Sequence, residues 1–331
     1  MRIFNKQSVL FYFTSILIVA GIQCNSFSQE KGLIPSKYYS TEDYGAGTQN
    51  WAVAQDLRGV MYFGNINGVL EFDGENWRLI ETTNSTVRSL AVNNDGVVFV
   101  GAYNEIGYLW PNSNGMMEYH SLIPLIDDQH KTFKDVWDIN CFSDTVFFLT
   151  DKYLFIYTNN KFEYIESGEK NFYLSHAINN SYYVQELGVG LSKFEDGKLN
   201  LIEKGDFFTN IKIHSILPYD TCFLICTRTN GVFLYNCKSE KPSIQPLSKF
   251  SKKGEKLNDY FLEHLFYHGI MLDDNLFALA SITGDILIVN KNWDVVDVIN
   301  EKTIGMKSST LYLFFQKNHS LWLGLNNGIC Q

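Results

Sequence analysis

Trp51, Arg88 and Trp137 are the residues of this chain whose types and spacing together suggest a binding chemistry. Each stands nine residues before the start of a strand-like apolar run, at Val60, Val97 and Val146. A shared register of that kind places all three at equivalent starts of inner strands, near one mouth of a channel. Two indole faces beside a guanidinium suit a sugar or another polar cyclic ligand, through stacking and bidentate hydrogen bonds. The competing role is to wedge between sheets, which is the commoner use of aromatic side chains.

Other reactive residues make weaker patterns. His264 and His268 are four apart, which on a helix sets both on one face. His268 falls where an inner strand is expected, however, and only Glu263 stands close by, whereas a catalytic zinc needs three protein ligands. Asp127-Asp128 and Asp273-Asp274 are adjacent pairs, and neighbours in a turn point apart. The chain contains no HExxH, no G-x-S-x-G, no phosphate-binding loop and no calcium-loop pattern. Neither catalytic residues, nor a metal, nor a cofactor is therefore expected. An active site assembled from several segments would leave no such spacing to read.

Five cysteines remain once an N-terminal signal containing Cys24 is removed: Cys141, Cys222, Cys226, Cys237 and Cys330. Their spacing is neither a zinc-ribbon pattern nor a dense disulfide framework. With Thr229-Asn230 at the centre of a hairpin turn, Cys222 and Cys237 would stand opposite each other as a candidate disulfide. The other reading is that each is a small buried hydrophobe.

The elements that must position these residues repeat. Met61-Tyr62-Phe63-Gly64-Asn65-Ile66-Asn67-Gly68-Val69 returns as Leu224-Ile225-Cys226-Thr227-Arg228-Thr229-Asn230-Gly231-Val232, and again as Leu321-Trp322-Leu323-Gly324-Leu325-Asn326-Asn327-Gly328-Ile329. Each copy is a strand, then Gly or Thr, three residues, Gly, and a second strand. Asn-Gly is the strongest short hairpin signal because both residues tolerate positive φ. Gly64 and Gly324 lie 260 residues apart over six intervals, about 43 per repeat, within the roughly 40–50 of a four-stranded propeller blade. The expected fold is all-β, a seven-bladed β-propeller with an incomplete last blade. Blades start near 51, 88, 137, 174, 213, 266 and 310, within a propeller over 38–331. Residues 38–44 are expected to lend an outer strand to the last blade. Lys238–Glu263 reads as a polar projecting loop, with one helical turn at Tyr260–Leu265. An aromatic load of 25 Phe, 19 Tyr and 6 Trp suits blade-to-blade packing.

Charge and the N-terminus narrow the function. The net charge of −9 without a Lys/Arg block argues against a nucleic-acid partner. Arg2 and Lys6 precede an apolar run, Val9–Ile22, that is short for a bilayer span. Residues 1–28 therefore read as a signal peptide cleaved before Gln29, with 29–37 as an unstructured leader. Cys24 offers a lipoprotein alternative, to which Gln23 is a poor fit. No second run of spanning length follows, so an exported, periplasmic protein with no membrane span after cleavage is expected.

The stretch Gly47–Asp56, with Asn67–Gly74, Trp77, Val87–Leu90, Glu105–Tyr108, Val136–Asp138 and the closing Leu321–Ile329, resembles exported two-component-regulator propellers. It is most similar to the branch that carries a triple-tyrosine domain after its propellers, and the resemblance covers essentially the whole mature chain. It implies the first sensor propeller of a membrane receptor. In that family a second propeller, a β-sandwich, a membrane span and a kinase or LuxR-type output follow, and none of these occurs in this sequence. The resemblance implies a non-catalytic sensing or interaction module, with a small molecule or glycan-derived ligand and with a homodimer mate or second propeller as partner. An exported propeller enzyme (a glycan or peptide lyase or hydrolase) and a truncated gene remnant are the alternatives.

Overall fold

The computed structural model describes residues 34–236, 241–273, 275–305 and 308–331. The signal-peptide segment 1–28 and the first part of the leader lie outside these residues. Seven four-stranded antiparallel sheets follow one another along the chain. Their inner strands begin at Asn50, Val87, Val136, Phe172, Ile213, Phe266 and Thr310. Successive inner strands pack side by side, and Thr310–Phe315 returns against Asn50–Gln55 to close a seven-bladed propeller.

Second strands are nearly continuous apolar runs because both faces of each blade are covered. In Met61–Asn65, Tyr62 enters the apolar cluster shared with the second blade, while its neighbour Phe63 enters the cluster shared with the seventh. Seven such clusters occur among the described residues, one at each blade junction. Alternation thus sorts side chains between two neighbours rather than between core and solvent.

The glycine punctuation serves two needs. Gly64 has ordinary φ, but a Cβ there would meet Val87 Cγ1 at 3.1 Å, so the glycine lets the next inner strand approach. Gly68 takes φ +141°, which suits glycine alone. Asn67 keeps negative φ and donates its N–H to Asn65 Oδ1 at 3.0 Å, so the hairpin is held by an Asx turn rather than by two positive-φ residues.

The seventh sheet holds Thr310–Phe315, Leu321–Leu325, Ile329–Cys330 and, outermost, Tyr38–Tyr39. The last blade's own segment stops at its third strand, and Tyr38–Tyr39 of the 38–44 stretch supply the fourth, while Thr41–Tyr44 form a short helix instead of strand. The third strand therefore does not present an unpaired edge. Tyr38 pairs with Cys330, and Lys37 and Gln331 exchange two further backbone bonds of 2.9 Å. Tyr39 also stacks on Trp322 at 6.0 Å and meets Trp77 edge-on at 5.1 Å, so the latch joins the first and last blades.

The insertion departs from expectation. A helix runs over Lys252–His264, where a projecting loop with one turn at Tyr260–Leu265 was expected. Ser251 caps it by accepting from Gly254 N at 3.0 Å. Leu257 and Phe261, one helical turn apart, bury themselves between the fifth and sixth blades. Those two apolar residues turn a polar-looking segment into a packed element. Among the described residues no helix is long and apolar enough to cross a membrane.

Candidate functional site

Every inner strand carries a register shift just after its first residue. The residues left unpaired are Trp51, Arg88, Trp137, Tyr173 with Leu174, His214, Tyr267 and Leu311. A bulge re-aims its extra side chain, and repeating the device in seven blades turns eight residues toward one opening. All of them line a single cavity of about 550 Å³. The three residues singled out by spacing therefore meet at one mouth of the channel.

Their contacts are specific. The Arg88 guanidinium carbon lies 4.3 Å from the Trp51 ring centre and 5.6 Å from that of Trp137. Its Nε donates to Asp135 Oδ1 at 3.0 Å, so the charge is paired as well as stacked. Trp137, 37% exposed, donates Nε1 to Asp151 Oδ1 at 2.8 Å. Trp51 Nε1 and Arg88 Nη1 are buried and make no hydrogen bond, and the same holds for His176 Nε2 on the cavity wall. Orphaned polar atoms are scarce in folded proteins, and three of them belong to residues that line this one cavity.

The opposite side of the rim is tyrosine and histidine. Tyr173 Oη and His214 Nε2 are 2.8 Å apart, and His214 Nδ1 lies 2.8 Å from the Tyr267 carbonyl oxygen. A carbonyl only accepts, so the imidazole proton sits on Nδ1 and Nε2 accepts from the tyrosine. Lys212 Nζ stands 4.7 Å from the Tyr173 ring centre, and the Arg228 guanidinium carbon 5.8 Å from that of Tyr267.

Below the rim the wall is polar and knits blades together. Asp138 Oδ2 accepts from Ser175 Oγ at 2.6 Å and Asn140 Nδ2 at 2.9 Å, joining the third and fourth blades. Ser89 Oγ donates to the Val136 carbonyl at 2.7 Å, and Gly269 N donates to Ser215 Oγ at 2.9 Å. Burial pushes the Asp138 carboxyl up to about 6. Burial also depresses His176 to about 3 and His214 and His268 to about 4. The nearby positive charges of Arg228 and Lys212 lower His214 further. These imidazoles are neutral at pH 7, which leaves Arg88, Lys212 and Arg228 as the cations of the cavity.

The remaining candidates separate. His264 ends the insertion helix and bonds Thr283, while His268 faces the channel from the sixth inner strand and accepts from Leu313 N at 3.3 Å. Among the described residues no group of three or more His, Cys, Asp or Glu side chains is set to hold a metal ion. Cys222 is a free thiol, and Cys237 lies outside the described residues. The hairpin register sets Phe223 against Tyr235, which centres the turn on Thr229.

Spacing alone could have found two of the missed rim residues. Nine positions before Tyr182 and Leu276 are Tyr173 and Tyr267. The same count from Cys222 and Leu321 lands one residue away from His214 and Leu311. The turn between inner and second strands has two residues in the blades of Trp137 and His214 alike and five in those of Trp51, Arg88 and Leu311, so the misses come from a one-residue uncertainty in where the second strand starts.

No family model matches the sequence, and no curated protein does. Solved structures do. The WD40 β-propeller domain of Doa1 is similar with a TM-score of 0.65 at 12% identity, over 90% of this chain and 95% of that one. An extracellular domain assigned to a hybrid two-component system of B. thetaiotaomicron gives 0.66 at 14% identity, over 91% of this chain and 41% of that one. Streptogramin B lyase gives 0.63 at 13% identity, over 89% and 96%. This chain thus spans about two fifths of the two-component domain. At such identities the likeness establishes the propeller fold, which sensors and lyases share.

Proposed function

We propose that this chain is a non-catalytic, periplasmic ligand-binding propeller that acts as a sensing or interaction module, and that its ligand is a polar cyclic molecule of the saccharide type. The observation that carries the reading is the Trp51–Arg88–Trp137 arrangement on a concave rim: two ring faces at fixed spacing around an immobilised guanidinium. Stacking surfaces beside a pre-oriented donor bind with little ordering cost. The likeness to extracellular two-component domains supports a sensing role. Binding would act on a second propeller or a second copy only by its differential affinity for two packing arrangements.

Titration of intrinsic tryptophan fluorescence with a panel of neutral and charged oligosaccharides tests this. Saturable quenching is expected, with Trp51→Ala weakening the affinity about tenfold, the loss of one well-packed aromatic contact. A panel without binders, or binding indifferent to Trp51→Ala, would sink the proposal.

A second reading, an exported propeller enzyme, draws support from the Tyr173–His214 contact, since a neutral imidazole beside a phenol is a competent acid–base pair. Turnover of a bound saccharide that Tyr173→Phe abolishes without loss of binding would favour it.

A further inference from the structure

Lys212 and Arg228 stand out among the three cations that line the cavity. Three of the four arginines among the described residues, Arg58, Arg78 and Arg88, are paired with carboxylates. Arg228 has no carboxylate within 4 Å among those residues, and neither has Lys212. Both line the cavity, on the side facing away from the tryptophans, and the Arg228 N–H donates to the Lys212 carbonyl at 3.0 Å, which ties their backbones together. Each rests over a tyrosine ring, and His214 lies between those rings, 5.7 Å from Tyr173 and 5.6 Å from Tyr267 by ring centres. A chain of net charge −9 keeps two unpaired positive charges converging on one concave corner. Such a corner focuses field on an incoming anion.

From this geometry we infer that the Lys212–Arg228 corner receives an anionic group, a carboxylate or a sulfate ester, on the saccharide whose ring stacks at Trp51 and Trp137. The ligand class is therefore acidic saccharides. Arg228 offers a planar fork to the two oxygens and Lys212 a point charge. His214, held neutral with its Nε2 accepting from Tyr173, leaves these two as the charges that answer the anion. A cavity of about 550 Å³ lies within the roughly 300–1,000 Å³ of small-ligand pockets. This inference rests on the binding reading above and adds the ligand's charge to it.

Isothermal titration at constant ionic strength with digalacturonate, its methyl ester and inorganic sulfate separates the two claims. We expect digalacturonate to bind at least about tenfold more tightly than the uncharged ester, as a charge-assisted contact requires. Lys212→Met and Arg228→Met should each weaken the acid about fivefold and leave the ester unchanged, with the double variant binding both alike. Sulfate should compete with the acid, and whether sulfate or digalacturonate binds the corner more tightly assigns it to sulfate esters or to uronates. Equal affinity for acid and ester, both weakened by Trp51→Ala, overturns the acidic ligand while leaving the stacking site standing. Failure of both digalacturonate and sulfate to bind also overturns it. If the two cations serve only to pack on tyrosines, their removal lowers Tm and leaves the preference for acid over ester intact, a third result against the inference.

Discussion

The two sides of the cavity rim use one backbone device and arrive at opposite electrostatic states. On the side of the first three blades, Arg88 is clasped between Trp51 and Trp137 and neutralised by Asp135. On the side of the fourth to sixth blades, Tyr173, His214 and Tyr267 occupy the same bulge positions, yet Lys212 and Arg228 beside them have no ion-pair partner among the described residues. Away from the arginines and Lys212 the two sides are alike. The third blade contributes Asp138, held towards its neutral form, while the fourth, fifth and sixth contribute His176, His214 and His268, also held neutral. One half is assembled as structure that a ring can rest on; the other keeps charge in reserve. A repeated fold fixes where side chains emerge, and each blade's own sequence then decides whether that position is satisfied internally or left for a ligand.

The largest expected difference between the halves is in stability. Arg88→Ala should cost about 2–3 kcal/mol in denaturant unfolding, because Asp135 is left half-buried without its partner and two indoles lose their spacer. Arg228→Ala should stay within about 0.5 kcal/mol, having no pair to break. Equal losses in the two variants would erase the distinction.

A pH titration of Tm sharpens it next. The three histidines have folded values below their ordinary 6.5, so the stability they allow is whole above pH 6.5 and is lost as pH falls towards about 4. Asp138, raised from 3.8 to about 6, acts in the opposite sense: its burial is easiest to bear at low pH and costs stability as pH rises through that interval. Three groups outweigh one, so Tm should climb between pH 4 and 6.5. His176→Phe should flatten the climb by about half and Asp138→Asn should steepen it. A flat profile in the unmodified protein would contradict the burial assigned to these side chains.

A modest effect is expected at Trp137. Replacing it with Phe keeps a stacking face and removes only the Nε1 bond to Asp151, for about 0.5–1 kcal/mol at most. A larger loss would mean that Trp137 belongs to the structural frame more than to the binding surface.

Much of this architecture can be read in one dimension. The strand–Gly–xxx–Gly–strand units mark the second and third strands of a blade, and their period marks the propeller. Tyr38 and Tyr39 could be suspected as a latch. Trp51, Arg88 and Trp137 stood out through a common offset from the next apolar run, although the second strands themselves begin at Met61, Val98 and Thr145 and so follow by ten, ten and eight residues. His214 and Leu311 escaped that count by one residue, although their strands have the same turn lengths as those of Trp137 and Trp51, because the start of an apolar run fixes a strand's first residue only to within one position. The helix at Lys252–His264 escaped because its apolar residues crowd into Leu257 and Tyr260–Leu262 among many polar ones and carry little periodic signal until a groove between blades receives Leu257 and Phe261.

Local order in this protein comes from local chemistry: alternation, glycine spacing and turn residues act over a few positions, so the sequence determines strands, hairpins and their number. Convergence is different. Trp51 meets Arg88, Asp135 finds Arg88, and Lys212 with Arg228 finds no carboxylate only after seven sheets close into a ring and bring distant segments onto one rim. Pairing and desolvation fall off within a few ångströms, so which charges are satisfied and which stay open to a ligand was decided by the tertiary structure alone.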